Sequence, residues 1–331
     1  MRSLSDVSRK HSGKKTFVDD SSTHDIVYTF SYEYYGTYVC KHLPRPAGLF
    51  YVRAVRHVIG VFLTKHKPRT QRDFVLTQTT MKIIIKIGTK VLSREDGTLD
   101  TDFLSRMVDQ IVELRLIGTQ VVLVTSGAVG AGKSLTKLRD ESSETVRKQV
   151  FAAIGQVKLM TVYAELFARH GYHCAQVLAT KEDFRDDKHY LNMQNCFEAL
   201  LLDNVIPIVN ENDVVATTEL MFTDNDELAG LVAKQLKADR LIILTGTDGI
   251  LDAGGKTVHI VDAGNIEEVS GYISPDKSAG GRGGMKSKFA VAEELSLQCI
   301  TVRIVDGRGW NILDELTDRP QTGTTFITRS K

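Results

Sequence analysis

Two lysines in unusual surroundings are the first candidates for chemistry. Lys86 lies in the apolar run KIIIKI at residues 82–87, and Lys288 ends the glycine-rich stretch SAGGRGGMKSK at residues 278–288. A charged lysine on a buried strand is unfavourable unless a counter-charge or an anionic ligand meets it, and glycines let a backbone pass close to phosphates. We therefore expect both lysines to converge on one polyphosphate. A structural ion pair for Lys86 and a surface loop with helix-face lysines for Lys288 are the alternatives.

Short polar side chains form two further clusters. NEND at residues 210–213 follows the apolar run 205–209, and DND comes soon after it at residues 224–226. Carboxylates and carboxamides of these types bind a zwitterionic amino acid or magnesium, although they also form turns. Because the two clusters lie close in sequence, we favour a binding site. The turn TSG at residues 125–127 adds a hydroxyl group and N–H groups at a predicted helix start, which together suit an anion.

Residues 127–134, GAVGAGKS, fit the phosphate-loop pattern G-x-x-x-x-G-K-[ST] letter for letter. In a true phosphate loop, Lys133 would reach the terminal phosphates and Ser134 would hold magnesium. Such a protein would also need a later apolar strand ending in aspartate for the metal, whereas RLIILTG at residues 240–246 ends in threonine and glycine. We therefore interpret the match as accidental.

An alternation of strands and helices that starts at Met81 must position these residues. This alternation is typical of a mostly parallel sheet covered by helices on both faces. The predicted strands are residues 82–87, 120–125, 173–179, 205–209, 240–245, 299–305 and 323–326. The predicted helices are residues 101–118, 144–170, 189–204, 226–239 and 284–298, and residues 249–261 are predicted to form a hairpin with Gly254 and Gly255 in its turn. In open α/β sheets, ligands bind beyond the carboxyl ends of the strands, where the polar clusters fall.

The chain divides by charge into a basic leader and an acidic body. Residues 1–80 carry 13 lysines and arginines against 6 acidic residues, and residues 81–331 carry 29 against 35. We expect the leader to be a poorly ordered extension, or the product of an upstream start codon, and residues 81–331 to be one domain. Acids such as Asp6 and Asp19 disfavour a mitochondrial presequence. We expect no nucleic-acid partner, since no binding motif accompanies the basic charge.

The spacing of the cysteines and the hydropathy of the chain bear on its cellular location. The four cysteines lie far apart without a C-x-x-C pair, which suggests neither a zinc site nor a disulfide framework, so we expect a reduced, cytoplasmic setting. The most apolar part of the leader, residues 48–63, is interrupted by Arg53, Arg56 and His57. It is therefore a poor membrane span, and we expect no membrane partner.

Five motifs together resemble one known family over about residues 81–328. They are IKIGTKVL (85–92), VTSGAVGAG (124–132), VNEND (209–213), TDND (223–226) and GGMKSK (283–288). In this order and spacing they resemble the amino acid kinase family, and VNEND followed by DND is similar to the members that act on L-glutamate. The resemblance implies a three-layer αβα sandwich with a mainly parallel central sheet of about eight strands. It also implies transfer of the γ-phosphoryl group of ATP to the γ-carboxylate of L-glutamate, with Mg²⁺, as the first step of proline biosynthesis.

The resemblance further implies a role for each motif. Lys86 and Lys288 would stabilise the phosphoryl group during its transfer, and Asp226 would hold both lysines in place. Gly88 and Thr89 would bring the backbone close to the phosphates. The positions implied to bind the amino acid are Ser126, Gly127, Asn210, Asp213 and Asn225. The positions implied to bind ATP are Lys86, Gly88, Thr89, Thr245, Gly246, Arg282, Gly283, Gly284, Met285 and Lys288, and the metal ligands stay open.

Two departures from the family pattern and several rival functions complete the interpretation. Gly246 stands where many members have an acidic residue, which leaves the adenosine contacts open. Many bacterial members continue into an RNA-binding-like PUA domain, whereas we expect this sequence to be a kinase-only form. The alternatives are an acetylglutamate, aspartate or, less favoured, uridylate kinase, and a catalytically silent sensor of glutamate or proline.

Family members usually form dimers or tetramers and are commonly inhibited by proline. We therefore expect a homo-oligomer and inhibition by proline through residues 144–190.

Overall fold

A computed structural model divides the chain into two compact units, Met1–Thr80 and Met81–Lys331. It describes the backbone of five strands in the first unit and residues 80–137, 143–216, 221–273, 284–311 and 322–327 in full. The five strands are β1 (Lys15–Asp19), β2 (Ile26–Tyr32), β3 (Gly36–Lys41), β4 (Leu49–Ala54) and β5 (Val58–Phe62). Each pairs antiparallel with the next in one sheet. The poor order expected for residues 1–80 stays a prediction.

The second unit is a three-layer αβα sandwich. Its strands are β6 (Lys82–Ile87), β7 (Gln120–Val124), β8 (Cys174–Ala179), β9 (Ile206–Glu211), β10 (Arg240–Thr245), β11 (Ile260–Val261), β12 (Thr301–Asp306) and β13 (Thr324–Phe326). Its helices are α1 (Thr89–Leu92), α2 (Thr101–Leu116), α3 (Ala128–Leu135), α4 (Glu144–Ala168), α5 (Asp187–Leu202), α6 (Asn225–Gln235), α7 (Ile266–Gly271) and α8 (Met285–Ser296), with a 3₁₀ turn at Lys181–Phe184.

The strands of this unit form one sheet in the order β11-β13-β12-β10-β6-β7-β9-β8. Every neighbouring pair is parallel except β12 and β13. The predicted fold class, a mainly parallel sheet of about eight strands between helical layers, is therefore confirmed.

Side chains of β6 alternate between the two faces of the sheet, as the pleat requires. Ile83, Ile85 and Ile87 join a core that includes residues of α2 and α4. Ile84 points the other way, into a core that includes residues of α6 and α8. The same alternation directs Lys86 to the α6 and α8 side, so the strand delivers its one interior lysine toward the first turns of those helices.

The predicted hairpin at residues 249–261 differs from the structure in its second arm. The turn at residues 249–261 forms, with Gly255 at φ 77° and a single antiparallel bridge between Leu251 and Thr257. The end of the predicted second arm instead becomes β11, which pairs parallel with β13. Val261 is buried there in the core on the α6 side, which outweighs extension of an exposed hairpin.

Helix α4 is long and apolar enough to cross a membrane by length and composition, the one such helix among the described residues. Half of its most apolar window is buried inside the unit, as expected for a core helix. Ser143 caps its first turn by accepting a hydrogen bond from the N–H of Val146.

Candidate active site

A cavity of about 630 Å³ opens at the carboxyl ends of four neighbouring strands, β10, β6, β7 and β9. It collects predicted site residues from widely separated parts of the chain. Those that line it are Lys86, Gly88, Thr89, Ser126, Gly127, Asn210, Asp213, Asn225, Thr245, Gly246, Gly284, Met285 and Lys288. Arg282 and Gly283 lie outside the described residues. The strand order places the predicted nucleotide residues of β10 on one side of Lys86 and the predicted amino acid residues of β7 and β9 on the other.

Lys86 and Lys288 meet on the two oxygens of one buried carboxylate. Lys86 Nζ lies 2.5 Å from Asp226 Oδ1, and Lys288 Nζ lies 2.8 Å from Asp226 Oδ2. Asp226 is 0% exposed, while Lys86 and Lys288 are 5% and 6% exposed. Two cations on one anion leave a net positive charge on the floor of the cavity, where an anionic ligand would be stabilised.

The charge state of Asp226 follows from this arrangement. Burial alone would raise the pKa of Asp226, but attraction to Lys86 and Lys288 and the hydrogen bonds from both lysines outweigh it, so the pKa lies below its ordinary value of 3.8. Asp226 is therefore ionised at neutral pH and keeps the two lysines oriented.

Helix α6 begins at this point because Asp224 caps it. Asp224 Oδ1 accepts hydrogen bonds from the N–H groups of Asp226 and Glu227 at 2.8 and 3.0 Å. The cap places Asn225 and Asp226 in the first turn, one toward β7 and β9 and the other beneath the lysines. The DND motif thus serves as a cap, a link between strands and an anchor for the two lysines.

Asn225 ties the ends of β7 and β9 together. Its Nδ2 donates to the Thr125 carbonyl at 2.5 Å, to Ser126 Oγ at 2.9 Å and to Asn210 Oδ1 at 3.0 Å. These contacts form a wall of hydroxyl and amide groups beside the lysines. Asp213 lines the cavity just after β9.

The opposite side of the cavity has a close backbone approach. The N–H of Gly88 donates to the Leu244 carbonyl at 3.0 Å, and a Cβ added at Gly88 would lie 3.1 Å from that oxygen. Gly88 therefore keeps the turn after β6 tight against β10. Thr245 and Gly246 extend this edge, and Arg308 donates to the Gly246 carbonyl at 2.8 Å.

The phosphate-loop match is explained by helix packing. A Cβ at Gly132 would lie 1.9 Å from the Phe151 carbonyl oxygen, and one at Gly155 would lie 1.8 Å from the Ala128 carbonyl oxygen. Lys133 is exposed in the last turn of α3, and Ser134 Oγ donates to the Ala131 carbonyl at 2.7 Å. Gly132 of the pattern therefore lets α3 pack against α4, in line with the predicted close helix packing, and the lysine and serine that complete the pattern face elsewhere.

Several polar residues that line the cavity were not predicted as site residues from the sequence. They are Lys90, Lys148, Glu211, Asp224 and Thr247. Lys90 and Lys148 gave no signal because a lysine on a helix surface usually faces solvent. Asp224 and Glu211 belong to the two polar clusters and could have been included with their neighbours.

Comparison with known proteins identifies the class that this fold and site define. A model described as "Amino acid kinase family" matches residues 81–306. The chain belongs to this family. Its fold also resembles a carbamate kinase from Giardia, with a TM-score of 0.55 at 18% identity over 76% of this chain and 100% of the other. A similar likeness is found to an N-acetylglutamate synthase from Neisseria gonorrhoeae, with a TM-score of 0.53 at 16% identity over 76% of this chain and 60% of the other.

Curated relatives narrow the identification to one branch of the family. A glutamate 5-kinase of Chlorobaculum tepidum is 46% identical over 249 residues, which are 74% of this chain and 69% of the relative. A glutamate 5-kinase of Clostridium acetobutylicum is 37% identical over 255 residues, covering 76% of this chain and 96% of the relative. Within the amino acid kinases, the chain therefore groups with the glutamate 5-kinases, as the motifs predicted.

Proposed function

We propose that this protein transfers the γ-phosphoryl group of ATP to the γ-carboxylate of L-glutamate and so forms γ-glutamyl phosphate, the first intermediate of proline biosynthesis. The observation that carries the proposal is the buried group of Lys86, Asp226 and Lys288 at the floor of the cavity, beside a wall of hydroxyl and amide groups. The glutamate 5-kinase relatives support the same activity.

The acceptor needs no general base. A glutamate side chain has a pKa of about 4.3 and is already ionised at neutral pH. The barrier comes instead from repulsion between the anionic acceptor and the anionic phosphate, and from charge that develops on the bridging oxygen. Positioning and positive charge are the means by which proteins lower such a barrier.

Lys86 and Lys288 supply that positive charge in the proposed mechanism. Both ammonium groups are held by Asp226, so they need not reorganise when charge moves during transfer. Gly88 and Thr89 offer backbone beside Lys86 for the phosphates. The carboxylate oxygen of the substrate forms a bond to the γ-phosphorus while the bond to the bridging oxygen of ADP breaks.

The amide wall is the proposed binding site for the amino acid. Ser126 and Asn225 can donate to or accept from the α-carboxylate and the ammonium group of glutamate, and Asp213 can pair with the ammonium group. An acetylated substrate has no free amino group, so Asp213 would lose this partner. The wall therefore favours free glutamate over N-acetylglutamate.

The residues present also fit a magnesium ion that enters with ATP. Asp224 Oδ2 is buried and has no hydrogen-bond partner among the described residues, and Asp224 lines the cavity. Mg²⁺ is usually bound by one or two carboxylates together with substrate phosphates and waters. Asp224 is the residue that would hold it, and the ion would neutralise charge on the phosphates.

A homo-oligomer is supported by one face of α4. Val146, Val150 and Val157 lie within about 40° of one another around the helix axis. All three are exposed, Val157 by 70%. A second copy packed on this face would remove the valines from water, and we expect a dimer or tetramer by light scattering after gel filtration. A monomer at micromolar concentration would contradict this expectation.

Proline inhibition and a cytoplasmic location complete the proposal. Residues 144–190 include α4, which contacts the start of α3 through Gly155 and Ala128. We expect millimolar proline to slow glutamate phosphorylation, and an unchanged rate across glutamate concentrations would contradict it. The cytoplasmic location is proposed from the wide spacing of the four cysteines, which is typical of proteins in reduced compartments.

The proposed function is tested by ADP formation with three acceptors. The chain is assayed with Mg-ATP and L-glutamate, N-acetylglutamate or L-aspartate at matched concentrations. We expect L-glutamate to give the highest kcat/KM. A higher value with either of the other two would assign the chain to a different acceptor, and ATP binding without turnover on any of them would favour a sensor.

A further inference from the structure

Gln156 lies on α4 behind the amide wall, outside the cavity that holds the proposed site. Its side chain is only 9% exposed. Gln156 Oε1 accepts a hydrogen bond from Asn210 Nδ2 at 3.0 Å. Asn210 in turn contacts Asn225, which contacts Ser126. Gln156 is thus the inner end of a chain of four side chains that leads to the cavity.

Two backbone groups identify which atoms donate and which accept in this chain of hydrogen bonds. The N–H of Glu211 can only donate, and it donates to Asn210 Oδ1 at 2.9 Å. The other end of that amide, Nδ2, must therefore face Gln156, and the atom that receives it must be an oxygen. The carbonyl of Thr125 can only accept, which likewise assigns Asn225 Nδ2 to the inner side.

The direction of the chain determines what the cavity offers to a ligand. Ser126 Oγ accepts from Asn225, so its hydroxyl hydrogen can be donated into the cavity. Asn225 Oδ1, opposite to Nδ2, can accept from an ammonium group. If Asn210 rotated its amide by half a turn, it would present Nδ2 to Asn225 Nδ2, and two donors would oppose each other.

Gln156 keeps this arrangement at an energetic cost. Its Nε2 is buried and has no hydrogen-bond partner within the described part of the chain. A buried donor without a partner destabilises a fold, and an apolar side chain of similar shape would avoid that penalty. The compensating contact is the one from Asn210 to Oε1. A role in packing alone does not account for a glutamine at this position.

We propose that Gln156 is a positioning residue for the amino acid substrate. Its Oε1, together with the N–H of Glu211, holds Asn210 in the orientation in which Asn210 Oδ1 accepts from Asn225 Nδ2, and so supports the hydrogen-bonding pattern that Asn225 and Ser126 present to the acceptor. Gln156 itself does not touch the substrate. This inference rests on the proposed function, because it assigns the amide wall to the amino acid and the lysine side to ATP.

Three variants of Gln156 separate its acceptor oxygen from its bulk. Gln156→Met keeps the length of the side chain and removes Oε1, and Gln156→Asn draws the oxygen back from Asn210. Gln156→Glu keeps an acceptor oxygen toward Asn210, but it replaces the unpartnered donor with a second acceptor oxygen and adds a negative charge. Gln235→Met is the matched control, since Gln235 is 1% exposed and donates from Nε2 to the Tyr190 carbonyl at the far end of α6.

The full chain is assayed for KM of the amino acid, KM of ATP and kcat, with the melting temperature of each variant recorded. The amino acid is whichever of L-glutamate, N-acetylglutamate and L-aspartate the unaltered protein phosphorylates. For Gln156→Met and Gln156→Asn we expect KM of the amino acid to rise about 10-fold or more, with KM of ATP and kcat within about 3-fold. Gln156→Glu, which keeps the acceptor oxygen, should raise KM of the amino acid less than Gln156→Met does. Gln235→Met should stay within about 3-fold of the unaltered protein in all three constants.

The outcomes discriminate between the inference and the proposed function. An unchanged amino acid KM in Gln156→Met, or in Gln156→Asn where the methionine variant does not fold, overturns the inference and leaves the proposed function standing. Equal rises in KM of the amino acid in Gln156→Met and Gln235→Met would also overturn it, because the effect would then not depend on the contact with Asn210. An unaltered protein that phosphorylates none of the three amino acids overturns both.

Discussion

Lys288 Nζ donates a hydrogen bond to Asp226 Oδ2 over 2.8 Å, although the two residues are 62 positions apart in sequence. Helices α6 and α8 start side by side at the carboxyl end of the sheet, so the first turn of one faces the first turn of the other. Lys86 occupies the second oxygen of the same carboxylate from β6. β6, α6 and α8 thus each contribute one charged side chain to this cluster.

Replacing Lys288 and Lys133 in turn tests whether turnover depends on the charged cluster or on the phosphate-loop pattern. Lys288→Ala removes one of the two cations on the cavity floor and should lower kcat by about 100-fold or more, with a smaller effect on KM of glutamate. Lys133→Ala, the matched control at an exposed position of α3, should leave kcat within about twofold. Steady-state kinetics of both variants provide the measurement. Loss of turnover in Lys133→Ala but not in Lys288→Ala would contradict this expectation and would show that residues 127–134 act as a phosphate loop.

The stabilising contribution of Asp226 should vary with pH in a defined direction. The pKa of Asp226 lies below its ordinary value despite burial, because Lys86 and Lys288 favour the ionised form. A carboxylate with a lowered folded-state pKa stabilises the fold fully above its unfolded-state pKa, and this contribution is lost as pH falls through the folded-state pKa. The effect is therefore present at neutral pH and disappears in acid.

Urea unfolding of the unaltered protein and Asp226→Asn tests this sign. At pH 6 the variant should be less stable by about 3–5 kcal/mol, because two buried ammonium groups lose their counter-charge. The difference between the two proteins should shrink below about pH 4. A difference that stays constant from pH 6 into that acid range would show that Asp226 is not ionised in the fold.

The contact between α3 and α4 should tolerate no added methyl group. A Cβ at Gly155 would lie 1.8 Å from the Ala128 carbonyl oxygen, so Gly155→Ala must push the helices apart. We expect a loss of stability of about 1–3 kcal/mol, or more if the turn after β7 moves. Gly130→Ala on α3 is the control, since the nearest atom to its added Cβ would be 3.5 Å away. Thermal unfolding should therefore separate the two alanine variants, and equal melting temperatures would contradict the packing account.

The strands and the charged cluster were predictable because their signals are local. β6 and β10 begin and end at the predicted residues, since apolar runs of strand length bounded by polar residues leave little choice of boundary. Lys86 was identified because a lysine in an isoleucine strand requires a partner. Its pairing with Lys288 through Asp226 matches the interpretation that motifs at the carboxyl ends of parallel strands converge.

The contacts made by α4 were not predictable from sequence for an equally physical reason. Gly155 and Gln156 look like ordinary residues of a long apolar helix, and only the packed structure shows which atoms they meet. Lys148 reaches the cavity from the same helix, yet a lysine at that spacing resembles a solvated surface residue. Long-range contacts of single side chains carry no periodic signal, so the inner support of the amide wall was missed.

The central claim, phosphoryl transfer to a carboxylate above the Lys86–Asp226–Lys288 cluster, is tested most directly by trapping the product. The full chain and Lys288→Ala are incubated with Mg-ATP, L-glutamate and hydroxylamine, which converts an acyl phosphate to a hydroxamate. We predict γ-glutamyl hydroxamate from the unaltered chain and at least about 100-fold less from the variant. Hydroxamate formation at equal rates in both proteins, or ADP release from the unaltered chain without any hydroxamate, would contradict the account.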